Sequence, residues 1–222
     1  PSDDPYAEEF LPTEMQFVPA PCYQVDSMLR LFVPNIPLVI VVIWLCNYVI
    51  NVRAVVYEKE IRLKEFTKVM GMGNAVHWLN WFTVGFIMMT AANIIVTVLL
   101  KCGRVFPRTE VFLLFCCSTA YILAILPQAF MISVFFNNAN FGAVFSGIFY
   151  FIMFVFYYLI IIYDLDFAPL LILTFSPQCA VAMTFSRLMN LEVQGFGGQW
   201  SNLWTNDIFN ESIPLGLCLL ML

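Results

Sequence analysis

Residues 141–163 read FGAVFSGIFYFIMFVFYYLIIIY, and none of them carries a formal charge. A helix rises ~1.5 Å per residue, so the stretch would cover roughly 35 Å, enough to cross the ~30 Å hydrocarbon core of a bilayer. Three more runs have the same character. Residues 36–52, 76–100 and 111–136 also contain no Asp, Glu, Lys or Arg. The fold class that follows is all-α: a polytopic helical membrane protein with spans at about 36–52, 76–100, 111–136 and 141–163. A further apolar run, from 213 to Leu222, is expected to be the truncated start of another span. Because the chain starts at Pro1 and stops inside that run, it is expected to be a fragment, and it shows no signal-peptide pattern.

Composition supports lipid as the solvent. Hydrophobic residues make up 61% of the chain and charged residues 11%, against roughly 25% charged in soluble domains. The net charge of -5 argues against nucleic acid as a partner, since binding phosphates needs clustered Lys and Arg. The seven cysteines form no CxxC pair and no Cys/His cluster, so no metal site is expected. The absence of charge within the four runs also argues against an ion or proton carrier, which buries such groups along its path.

Outside the runs the chain changes character. Residues 1–30 are polar, acidic and proline-containing, as expected for the end of an extracellular domain and its linker. Residues 164–190 are apolar but interrupted by Pro169, Pro177 and Arg187. Proline cannot continue a helix without losing a hydrogen bond, so an extracytoplasmic helical hairpin dipping into the membrane is expected. A single kinked span is the alternative. Five of the ten Lys and Arg residues lie between Arg53 and Lys68, and the positive-inside rule then puts 53–75 in the cytoplasm. Residues 101–110 and 164–212 fall outside. On that side Asn210-Glu211-Ser212 forms an N-glycosylation sequon.

Within the spans most polar features read as architecture. His77 is expected to be a boundary residue, and Trp78 and Trp81 part of an interfacial aromatic belt. Pro127 frees the carbonyl of Leu123 and predicts a kink. Ala143-x-x-x-Gly147 offers a small-residue stripe for close packing. Arg30, just before the first span, suits contact with a lipid headgroup phosphate; a snorkelling anchor is the alternative.

The stretch VVYEKEIRLKEFTKVMGMG (55–73) is the most informative connection. Glu58 precedes Arg62 by four residues and Glu60 precedes Lys64 by four, the favourable order for helical ion pairs. Leu63, Phe66 and Met70 form an apolar stripe, and Gly71 and Gly73 supply a stop. A cytoplasmic helix over 55–71 is predicted. It could be a solvated anchor, a lipid-adhering helix or a docking helix for another domain, and spacing alone leaves these open.

YEKEIRLKEFTKVMGM (57–72) resembles the cytoplasmic helix in the first membrane half of ABC transporters of subfamily A, the large lipid exporters. PCYQVD (21–26), FFNNANFGAVFSGIFYF (135–151), SPQCAVAMTF (176–185) and QGFGGQWSNLW (194–204) also resemble family segments, in the family's order. The chain departs from the pattern at Asn137 and Asn138, where a basic residue is common, and in a less glycine-rich 176–185. The resemblance implies an ABC-2 type membrane fold holding the second to fifth spans of one half and the start of the sixth. It implies phospholipid or sterol as cargo, in the plasma membrane or an intracellular vesicle membrane. It also implies a nucleotide-binding domain using ATP and Mg2+, and a second membrane half, elsewhere in the same chain. No G-x-x-x-x-G-K-[ST] phosphate loop occurs in these residues, so no cofactor and no catalytic residue are expected in this segment. On the same resemblance Tyr57, Glu58, Glu60, Arg62, Lys64, Phe66 and Met70 would couple the membrane helices to the ATPase domain. The alternative from another class is a channel or receptor subunit whose juxtamembrane helix binds a regulator.

Overall fold

A computed structural model describes residues 35–202 except 72, 164–174, 194 and 196. The expectations for 1–30, Arg30, Asn210, the run from 213 and the first arm of the 164–190 hairpin lie outside the described residues. Those described form α1 (Ile36–Glu60), α2 (Leu63–Val69), α3 (Asn74–Cys102), α4 (Val111–Phe135), α5 (Ala139–Tyr163), α6 (Pro177–Val193) and a 3-10 turn at Trp200–Asn202. There is no strand among them. Four helices, α1, α3, α4 and α5, are long and apolar enough to cross a membrane. The protein is an integral, multi-pass membrane protein.

α1 is central. It buries Ile40, Val41, Trp44, Tyr48, Val52 and Val56 at helical spacing, against α4, α5 and α6. Pro37 stands in its first turn, where a missing N–H costs nothing. It continues two turns past Val52, where the uncharged run ends, because Val55 and Val56 are still buried while Arg53 faces outward. α4 runs on through Pro127.

α5 packs on α1 through a tapered face. Its buried positions are Ala139, Gly142 and Ser146 in the first half, then Tyr150, Phe154, Tyr157 and Ile160 in the second. A side chain added at Gly142 would meet Val56 at 3.2 Å, and one at Gly147 would meet Val49 at 3.5 Å. The small-residue face therefore includes Gly142 as well as the Ala143/Gly147 stripe. α1 and α5 approach closely at this end, whereas the aromatic half is where α6 also packs.

α6 is the unusual element. Thirteen of its 17 residues are buried and the rest half-buried, although they include Gln178, Thr184, Arg187 and Glu192. Its first turn sits at the level of Gln128, about two-thirds of the way along α4, where Gln178 donates to Gln128 Oε1 at 2.7 Å. Its last turn lies beside Thr109, just before α4 begins. α6 therefore runs from within the bundle to the end where α5 terminates. Buried polar groups cost several kcal/mol unless hydrogen-bonded. Here Gln178 has Gln128 and Ser176, Thr184 donates to Ala180 O at 2.8 Å, and Glu192 is fully engaged.

α3 is peripheral. It packs on α4, touches α1 slightly, and presents one ridge to them at four-residue intervals: His77, Trp81, Gly85, Met89, Asn93, Thr97 and Lys101. Packing such i±4 ridges into a facing groove is the commonest helix-crossing mode. A side chain at Gly85 would meet Leu126 at 2.9 Å and Asn51 at 3.1 Å, so the helices approach closely there. Asn93 donates to Thr119 Oγ1 at 3.1 Å.

Candidate functional site

The end of the bundle carrying residues 53–80 holds the residues expected to couple. The helix expected over 55–71 is interrupted there. α1 stops at Glu60, Arg62 adopts a left-handed backbone with φ 59°, and α2 starts at Leu63. That break changes the partners. Glu58→Arg62 and Glu60→Lys64 ion pairs need continuous helix, and neither forms; instead Glu58 Oε1 lies 3.7 Å from His77 Nδ1. Trp81 Nε1 donates to the other Glu58 oxygen. Glu58 thus joins α1 to the first turns of α3.

Lys59 and Glu60 take up the turn between α4 and α5. Lys59 Nζ donates to Val134 O at 2.8 Å and to Phe136 O at 3.1 Å, carbonyls at the C-terminus of α4. Glu60 Oε2 accepts from Ala139 N at 3.0 Å, the first N–H of α5. Both charges complement the helix ends they face. Two adjacent residues of α1 therefore hold the ends of two other spans.

α2 lies beyond this clamp with no buried residue. Phe66 is 63% exposed, Val69 88% and Met70 74%. Tyr57, on α1, is also exposed, and Arg62 marks the break. Lys64 reaches back, its Nζ 5.0 Å from the Trp78 ring centroid. The seven expected coupling residues thus divide. Glu58, Glu60 and Lys64 tie the region to the spans, whereas Tyr57, Phe66 and Met70 stand free of the bundle. Lys59, His77 and Trp81 were not among them, yet they complete the connections. Their signal lay in the chemistry of helix ends and in the α3 ridge, neither of which local spacing around 55–73 displays.

The opposite end is closed by a different carboxylate. Glu192 is 2% exposed. It accepts from Arg108 N at 2.6 Å, Thr109 N at 3.0 Å and Thr109 Oγ1 at 2.6 Å. Lys101 Nζ donates to the carbonyls of Phe106, Pro107 and Thr109 at 3.1, 2.9 and 2.7 Å. Gly197, at φ +68°, lies so close to Arg108 that a side chain would meet its backbone at 2.8 Å. Sequence reading singled out neither Glu192 nor this use of Lys101.

Between the two ends an apolar groove of about 590 Å³ opens between α4 and α5, at the start of α6. Pro127, Met131, Phe149, Met153, Phe156 and Phe175 line it, and Gln128 and Ser176 are its polar members. Its shape and lining suit a hydrocarbon chain. Among the described residues no group of three or more His, Cys, Asp or Glu side chains could hold a metal ion.

Comparison with known proteins gives this arrangement a context. Residues 10–221 match the family described as ABC-2 family transporter protein. Over 214 residues the chain is 30% identical to the human glucosylceramide transporter ABCA12, covering 94% of this chain and 8% of that protein. It is 34% identical over 203 residues to rat ATP-binding cassette sub-family A member 7, covering 88% of this chain and 9% of that protein. With the mouse retinal-specific phospholipid-transporting ATPase ABCA4 it shares 30% identity over 218 residues, 97% of this chain and 9% of that protein. The chain spans less than a tenth of the length of these relatives.

Proposed function

This chain belongs to the ABC-2 transporter family, and from that premise we propose that it is the membrane-spanning part of an ATP-driven lipid exporter. In this reading it forms part of the pathway for a phospholipid or sterol. It receives the work of a cytoplasmic nucleotide-binding domain, which holds ATP and Mg2+ elsewhere in the same protein, through residues 57–71. The observation that carries the reading is α2: a short helix outside the bundle, exposing Phe66, Val69 and Met70, fastened to three spans by Glu58, Lys59 and Glu60. Apolar side chains standing in water are unfavourable unless a partner covers them. A push on that partner face would reach α3 through Glu58 and the α4–α5 turn through Lys59 and Glu60. The groove beside Gln128 suits an acyl chain, and two of the relatives are named as transporters of glucosylceramide and of phospholipid.

The test is lipid-stimulated ATP hydrolysis by the complete transporter. Replacing Glu58, Glu60 and Arg62 together is expected to lower the stimulated rate about fivefold or more, the lower range of allosteric coupling, while basal hydrolysis persists. Unchanged stimulation in correctly folded protein removes the lever. A labelled cysteine at position 60 that reacts from outside intact cells would invert the orientation and remove it too.

A further inference from the structure

A small pocket of about 110 Å³ lies where the last turn of α1, α2, the first turn of α3 and the last turn of α4 meet. Lys59, Lys64, His77, Trp78 and Ser133 line it, together with Glu58. We propose that this pocket binds the phosphate of an anionic phospholipid from the leaflet at this end of the bundle.

Charge supports an anion. The one carboxylate facing the pocket, Glu58, accepts from Trp81 on one oxygen and lies 3.7 Å from His77 on the other, and two lysines outnumber it. Lys59 gives two of its three N–H groups to Val134 and Phe136 carbonyls, leaving the third. Lys64 rests on the Trp78 face, a contact that uses charge without consuming a hydrogen-bond donor. Two ammonium groups on different helices therefore border one cavity with donors to spare.

Position supports a lipid as the source of that phosphate. The pocket stands at the ends of three spans, where headgroups lie, and Trp78 and Trp81 are tryptophans of the interfacial kind. Its bilayer side is apolar: the Trp78 ring packs against Phe130 at 5.7 Å between centroids, and Leu79, Val134 and Phe135 are exposed nearby on α3 and α4. A phosphate in the pocket would let its acyl chains lie along that surface. The orientation expected from the basic residues makes this the cytoplasmic leaflet, where anionic lipids are concentrated. Bound there, a lipid would join Lys64 of α2 to Lys59 of α1, so the leaflet's composition would set how firmly α2 is held. The binding claim does not depend on ATP coupling.

The amine reactivity of Lys64 tests it. The complete transporter is placed in nanodiscs of phosphatidylcholine, of phosphatidylcholine with phosphatidylserine, and of phosphatidylcholine with millimolar inorganic phosphate. It is then acylated briefly and read by peptide mass spectrometry. Lys68, exposed one turn along the same helix and outside the pocket, reports general accumulation of anionic lipid. Direct contact of the phosphate with the ammonium is expected to lower the labelling of Lys64 about fivefold with phosphatidylserine, equivalent to ~1 kcal/mol, and that of Lys68 less than twofold. Equal protection of both lysines, or of neither, overturns the site. Protection of Lys64 by inorganic phosphate but not by phosphatidylserine overturns the lipid as its source.

Discussion

Both ends of the bundle must satisfy the backbone of a turn between two spans, and both use a lysine and a glutamate, but they differ in where these come from. At the α4–α5 turn, Lys59 and Glu60 are neighbours on one helix, and Lys59 makes two bonds and Glu60 one, at partly exposed positions. At the α3–α4 turn, Lys101 comes from the preceding helix and Glu192 from a helix 83 residues further on, buried among backbone N–H groups. One end is a clamp operated by a single helix. The other is a closure made by three elements at once. The first can transmit displacement, because moving α1 moves both partners; the second resists it, because no element can leave without exposing buried donors.

Substitutions should separate the two ends. The largest effect on stability is expected from Glu192→Ala, which orphans two backbone N–H groups and the Thr109 hydroxyl. At 1–3 kcal/mol for each unsatisfied group, with partial recovery by water, a loss of about 3 kcal/mol is expected, read as a fall in melting temperature in detergent. A shift no larger than that of a surface substitution would break the comparison. Lys59→Met should cost less, about 1–2 kcal/mol, since it removes charge-assisted bonds to carbonyls that water can reach. Glu58→Gln keeps an acceptor for Trp81 and removes the carboxylate charge beside His77. Its stability cost is expected below about 1 kcal/mol, while lipid-stimulated ATP hydrolysis of the whole transporter falls. The smallest change in melting is predicted for Phe66→Ala, within about 0.5 kcal/mol for an exposed position. In the same protein, stimulated hydrolysis should drop. A large melting shift for Phe66→Ala, or none in hydrolysis, would sharpen the comparison by moving α2 from docking surface to structural part.

The spans were legible because lipid imposes a one-dimensional rule. Any stretch such as 141–163 that lacks charge over some twenty residues has few other places to go. The start of α6 was legible at Pro177, a residue suited to a first helical turn. Its depth was not, because that depends on Gln178 meeting Gln128 fifty residues away. The break at Ile61–Arg62 was equally hidden. No glycine or proline marks it, and the charge pattern across it favours continuous helix. Tertiary demand decided otherwise: Glu58 and Glu60 are engaged by α3 and α5, so the local pairs lose their partners. Glu192 escaped notice because a lone carboxylate in a mixed segment looks solvated until the N–H groups of a distant loop are known.

The burial of Glu192 also bears on biogenesis. α6 carries Gln178, Thr184, Arg187 and Glu192 within 17 residues, and a segment of that polarity partitions poorly into lipid by itself. Its berth consists of α1, α4 and α5 together with the loop at Thr109, so it can settle only after those helices have assembled. Insertion of this protein would then occur in two steps, with the spans entering first and α6 following once they enclose a polar seat. A chain halted between those steps would display Arg187 and Glu192 at the membrane surface, where cellular quality control could distinguish it from the finished molecule.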